Sequence, residues 1–166
     1  MKRAVYFVIA ITVVSCLALG GCKKAAEKMI ESKMAKDGVN AKVDSSNGKM
    51  TVQTQDGTTV IASGKDTKVP ENFPKDIYLY EGATIIGSVS VPNGFSLSME
   101  TGDSADKVLG TIKSKMTGLG WKQEMNMNQG KTSIVSYKKG EWTTMININA
   151  DKKTQIGLMA TEQKQK

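Results

Sequence analysis

Between residues 77 and 161 the apolar residues of this chain alternate with polar ones, and the alternation breaks once, for a block with the period of a helix. A strand sends successive side chains to opposite faces, whereas a helix returns to the same side about every 3.6 residues, so the two patterns fix the two element types. Ala83, Ile85, Gly87, Val89 and Val91 alternate, Pro92, Asn93 and Gly94 turn the chain, and Phe95, Leu97 and Met99 alternate again. The helical block places Ala105, Val108, Leu109, Ile112, Met116 and Leu119 along one side, with Asp103 or Ser104 as N-cap and Gly118 and Gly120 as candidate C-terminal stops. Lys113 and Lys115 sit near its negative end. Trp121 opens the next strand, and Met125 and Met127 are expected on its face. Turns at Gln129 and Gly130, at Gly140 and Glu141 and at Asp151 to Lys153 set off three more strands: Thr132 to Lys138, Trp142 to Ile148 and Ile156 to Ala160. The order predicts an α+β domain over residues 77–161, an antiparallel sheet with one main helix packed on one face.

Upstream the patterning is weaker. Residues 41–63 read as a β-meander, since Asn47 with Gly48 and Asp56 with Gly57 suit hairpin turns between short β-prone runs. Its low apolar content predicts pairing at the edge of a larger sheet or placement over it. Residues 64–76 hold Pro70 and Pro74 and one large apolar side chain, Phe73, and read as a linker pinned by that ring. Residues 22–40 carry Lys23, Lys24, Lys28, Lys33 and Lys36 against Glu27 and Glu31. There Ala26, Met29, Ile30 and Met34 recur at near-helical spacing, which predicts either a short helix laid on the domain, a tether or contact with an anionic leaflet. Residues 162–166 are a polar tail.

The first 21 residues have another character. Lys2 and Arg3 precede an apolar run from Ala4 to Leu19, interrupted by Thr12 and Ser15. That run falls short of the roughly 20 residues a spanning helix needs, and it ends in small residues, as export signals do. Leu19, Gly20, Gly21 and Cys22 resemble the lipobox of bacterial lipoproteins. The resemblance implies cleavage between Gly21 and Cys22, a diacylglyceryl group on the Cys22 thiol and acylation of the new amine. Two or more chains anchor a protein stably where one does so only marginally. Position 23 is Lys, whereas Asp there commonly marks inner-membrane retention in Gram-negative lipoproteins, so in such a host the resemblance favours the outer membrane.

A second resemblance rests on Phe73, Pro74, Lys75 and Asp76, on Leu79, Tyr80, Glu81, Gly82 and Ala83, and on Gly120 with Trp121 after the helix. These resemble a group of small bacterial lipoproteins and exported domains with a segment like FPxDxxLYxGA and a Gly-Trp pair, over about half of the mature chain. The group carries no activity to transfer and supports fold and address alone. The Gly-Trp pair reads as a helix stop and core anchor.

Composition narrows the chemistry. There is no His, so His-based triads, dyads and zinc sites are excluded. Of two cysteines, Cys16 lies in the segment to be removed and Cys22 is consumed by lipid, leaving the mature domain without a thiol. The net charge falls from +7 to +5 when Lys2 and Arg3 leave, and the lysines are dispersed among acids, against a nucleic-acid partner. Asp103, Asp106 and Glu100 form an acidic cluster that could hold a hard cation such as calcium, but carboxylates there more often cap a helix and favour its positive end. Tyr80, Tyr137 and Trp142 form either a recognition patch or core. Thioethers bind Cu(I), and Met125 and Met127 with Trp121 are the candidate soft-metal set, against the reading of methionines as core filling. The expectation is a non-enzymatic, lipid-anchored envelope protein without a cofactor, binding or interacting with an envelope partner. The alternative is a small-ligand or soft-metal carrier.

Overall fold

The computed structural model describes residues 23–163 apart from residues 37, 55, 56 and 65. The export signal, the lipobox and Cys22 lie outside the described residues. The order is α1 (Lys23–Lys36), β1 (Asn40–Asp44), β2 (Lys49–Thr54), β3 (Gly57–Ser63), β4 (Thr84–Val91), β5 (Gly94–Thr101), α2 (Ala105–Gly118), β6 (Lys122–Gln129), β7 (Thr132–Lys139), β8 (Trp142–Ala150) and β9 (Thr154–Glu162). The fold is α+β, with nine strands in one antiparallel sheet of order β1-β2-β3-β4-β5-β9-β8-β7-β6. Consecutive strands pair within β1–β5 and within β6–β9, all but β3 and β4 as hairpins, and the chain leaves the sheet after β5, runs through α2 and returns at the far edge as β6.

The hairpin turns fall where glycine allows them. Lys139 pairs with Trp142 and Gln129 with Thr132 around two-residue loops that begin at Gly140 (φ 58) and Gly130 (φ 59). The meander is part of the main sheet, because β3 pairs with β4 from Val60↔Ser90 to Ser63↔Gly87. The segment between β3 and β4 is a strap of successive turns, with the Phe73 N–H donating to Pro70, Ile77 to Pro74 and Ala83 to Tyr80. Phe73, Ile77 and Tyr80 are buried along it, and the Phe73 ring meets Phe95 edge-on at 5.5 Å.

Cross-strand partners share a face, so the register assigns every side chain to one of two faces. On the first face run the rows Phe95–Ala160–Thr144–Tyr137, Leu97–Leu158–Ile146–Val135 and Met99–Ile156–Ile148. Apart from the buried Thr144, these residues and Val108, Ile112 and Met116 of α2 form one buried apolar cluster, and α2 meets β8 and β6. On the opposite face, at the other end of the sheet, Ala41, Val43 and Met50 form a smaller cluster, with Ile30 and Met34 of α1 and with Val52 and Ile61 packed against it. Met29 points away from that cluster into solvent, so the expected stripe of α1 is split.

α1 also closes the β1 edge of the sheet. The Val43 N–H donates to the Glu31 carboxylate at 2.9 Å and the Ser45 N–H to Glu27 at 2.8 Å. An unpaired strand edge is a template for association, and two carboxylates here satisfy part of it. The Glu27 carboxyl lies below its ordinary value because the Ser45 hydroxyl and N–H both stabilise its charged form.

α2 begins at Ser104, whose hydroxyl accepts from the Lys107 N–H. It ends in a Schellman turn: the Gly120 N–H reaches the Thr117 carbonyl, the Trp121 N–H reaches Met116, and Gly120 holds φ 81. The Trp121 indole then donates to the Asp76 carbonyl at 2.8 Å, tying the helix exit to the strap. Lys139 closes the same corner, paired with the Asp76 carboxylate at 2.9 Å and donating to the Leu119 carbonyl. The Phe73-to-Ala83 segment and the Gly-Trp pair are therefore parts of one structural assembly.

Two expectations about side-chain direction fail, for the same reason. The register shifts between Ile85 and Gly87, so Ile85 faces the large core with Met99 while Val89 pairs with Ser96 and faces the other way with Ile61. It shifts again between Gln123 and Met125, so Met125 and Met127 turn away from the face that Trp121 serves. A bulge inserts one residue and reverses the alternation beyond it.

Candidate functional site

One row of partners crosses all nine strands on the second face: Val43, Met50, Ile61, Val89, Ser96, Met159, Met145, Ser136 and Met125. It starts covered, with Val43 and Met50 packed in the cluster with α1, and ends open. Met159 is 55% exposed and Met145 48%. The adjacent row on this face runs Gly87, Ser98, Gly157, Asn147, Ile134 and Met127, and Met127 is 44% exposed. Small side chains at Ser96, Ser98, Gly157 and Ser136 leave the thioethers standing above their surroundings. Scattered single apolar residues on a surface are ordinary, whereas a contiguous group of long ones marks a place where something binds.

Of the residues singled out from sequence, Met125 and Met127 lie together on this face and Trp121 is buried in the large core. Met145 and Met159 join them, and the sequence reading missed both. The signal was present: each falls in the polar phase of its strand, between Thr143 and Asn147 and between Gly157 and Thr161, while Ile146 and Leu158 hold the apolar phase. An apolar side chain out of phase on a half-buried strand faces solvent.

The remaining candidates serve the fold. Tyr80 is buried and donates to the Asp103 carboxylate at 2.7 Å, which also pairs with Lys107 at 2.8 Å. Lys107 and Tyr80 hold the Asp103 carboxyl below its ordinary value, and Asp103 in turn raises Lys107 and Tyr80. Glu100 pairs with Lys153, so the two carboxylates are held by separate lysines. Trp142 stacks on Phe95 with ring centroids 6.1 Å apart. Tyr137 and Thr144 are cross-strand partners deep in the large core, and their hydroxyls have no hydrogen-bond partner among the described residues. Burial there pushes the Tyr137 hydroxyl up from its ordinary value. No group of three or more His, Cys, Asp or Glu that could hold a metal occurs among the described residues. Nor is any described helix long and apolar enough to cross a membrane.

Residues 84–163, from β4 through α2 to the end of β9, are similar to a family described as START domain-like. The match spans just under half of the chain and includes the whole of the open methionine face. No curated protein and no solved structure matches the chain.

Proposed function

We propose that this chain is a lipid-anchored protein of the bacterial envelope, held through Cys22, and that its folded part is a non-catalytic binding module. The observation that carries the module is the open end of the nine-strand row, where Met159, Met145 and Met125 offer adaptable apolar contact among small residues. The START domain-like similarity over the same strands supports a ligand-binding role. In this reading α2 lies across the first face and stabilises it, which leaves recognition to the second. The anchor reading rests on Leu19, Gly20, Gly21 and Cys22, and Lys23 favours the outer membrane of a Gram-negative host. In this reading α1, which starts at Lys23, follows the acylated cysteine directly in sequence. The second reading, a small-ligand or soft-metal carrier, is favoured by the same thioethers.

Two measurements test the proposal. Cys22→Ala should abolish labelling with a clickable palmitate and release the protein from membranes; unchanged labelling would refute the anchor. A photo-cross-linking residue at position 145 should capture a specific envelope component in cells, while one at Lys113 on α2 should not. Equal capture from both positions, or none from 145, would refute the face as a recognition surface.

A further inference from the structure

Both carboxylates of α1 are spent on the β1 edge, and that leaves the outer side of the helix with one sign of charge. Residues about one turn apart share a side of a helix, and Glu27, Ile30, Glu31 and Met34 make up the side turned to the sheet. Glu27 and Glu31 accept from the Ser45 and Val43 N–H groups, while Ile30 and Met34 pack on the small core. Among the described side chains of α1, the exposed ones are Lys24, Lys28, Lys33 and Lys36, Met29 at 62% exposure, and otherwise only alanine and serine. These four lysines enter no ion pair among the described residues. Helix stability accounts for Lys33 and Lys36, which lie in the last turn, where the dipole favours a cation. It does not account for Lys24, which lies in a first turn without an acid, where a cation is unfavourable. Nor does the fold use Met29, which shares its side with Lys33 and Lys36, four and seven positions on.

We propose that the outer side of α1 lies on an anionic phospholipid surface, with its lysines among the headgroups and Met29 dipping between them. This rests on the reading of Cys22 as the lipid anchor and adds a second contact to it. Charge selects an anionic occupant, and the chain selects a bilayer over an acidic protein, because Cys22 directly precedes the first residue of the helix in sequence. The 14 residues of α1 span about 21 Å, so all four lysines belong to the part of the fold that follows the acylated residue most closely. The main apolar side of α1 is turned to the protein, so the contact is chiefly electrostatic, weak alone and effective beside acyl chains. Its consequence is orientation: α1 is fixed to the sheet by Glu27, Glu31 and the small core, and a helix held flat on the membrane holds the whole domain in one attitude.

The test uses the mature chain, residues 22–166, with Cys22→Ala, which keeps every residue of the described fold and has no acyl chain. It should sediment with vesicles of phosphatidylcholine and phosphatidylglycerol in equal parts, stay free of vesicles of phosphatidylcholine alone, and come off the former as salt is raised. Lys24→Gln and Lys28→Gln should each weaken binding about fivefold, and replacing Lys24, Lys28, Lys33 and Lys36 together should abolish it. Replacing Lys122, Lys131, Lys138 and Lys152, exposed lysines outside α1, removes the same charge and should weaken binding less than about threefold. Exposed substitutions change stability little, so these variants stay folded. In the same chain Met29→Cys supplies the only thiol, and a polarity-sensitive dye there should shift to the blue on the anionic vesicles, while one on Lys113→Cys should not. No binding to anionic vesicles, equal binding to neutral ones, equal loss in the control variant, or an unshifted dye at position 29 would each overturn the contact. If palmitate labelling depends on Cys22 but the unacylated chain ignores anionic vesicles, the anchor stands and the contact falls. If labelling is unchanged in Cys22→Ala and the vesicles are still bound, the anchor falls and the contact stands.

Discussion

The two ends of the sheet bury opposite faces, and they do so on very different scales. Strands β5, β7, β8 and β9 share with α2 a core that includes Leu97, Val135, Tyr137, Ile146, Ile148, Ile156 and Leu158. Among the described residues, the core that strands β1 and β2 share with α1 has only Ala41, Val43 and Met50 as buried members, each still 6–8% exposed. β4 changes face between them, since the bulge at Ile86 sends Ile85 to the large core and Val89 to the other face. The lesson is that the second face is one continuous row whose fate is set by what covers it. Where α1 lies, methionine is core; where α1 does not reach, methionine is surface.

The comparison can be broken first at the large core. Ile146→Ala should cost about 2–5 kcal/mol, read as a lower urea midpoint by every probe. Met50→Ala falls at the low end of that range, about 2 kcal/mol, because its cluster is small and lies near the sheet edge. Its effect should be local, with faster amide exchange in β1–β3 while β8 and β9 keep their protection. A uniform loss would mean that the two cores unfold as one.

Glu31→Ala comes next, at about 1 kcal/mol, since it leaves the Val43 N–H on the β1 edge without its carboxylate. The same exchange measurement should localise the change to β1. Acid tests the Tyr80–Asp103–Lys107 network. A carboxyl lowered in the folded state contributes stability above its ordinary value of 3.8 and loses it as the pH falls through the folded value. Asp103→Asn should therefore be less stable than wild type at pH 7, and the gap should narrow in urea melts below about pH 4. Met145→Leu on the open face should change stability by less than about 0.5 kcal/mol, as expected of an exposed site.

Much of this architecture was legible in residue order. The α2 stripe of Val108, Ile112 and Met116, the Ser104 cap and the glycine stops at 120, 130 and 140 were all readable from spacing, because each depends on local backbone preference. Direction across the sheet was not. Alternation determines which residues share a face only within an unbroken strand, and the bulges beside Ile86 and Glu124 reverse it; Gly87 marks the first, whereas no glycine or proline stands beside the second. Trp121 was consequently grouped with Met125 and Met127, which lie across the sheet from it. The strand order hid the rest: Met145 and Met159 are 14 positions apart in sequence and become neighbours only through the β8–β9 register.

The nine methionines from residue 29 onward give the most direct check, because they sample both cores and the open face. With their methyl groups labelled and a soluble paramagnetic probe added, Met127, Met145 and Met159 should broaden as strongly as the exposed Met29, while Met50, Met99 and Met116 stay sharp. Protection of Met145 and Met159 equal to that of Met116 would contradict an open methionine face, and with it the recognition surface assigned to this protein.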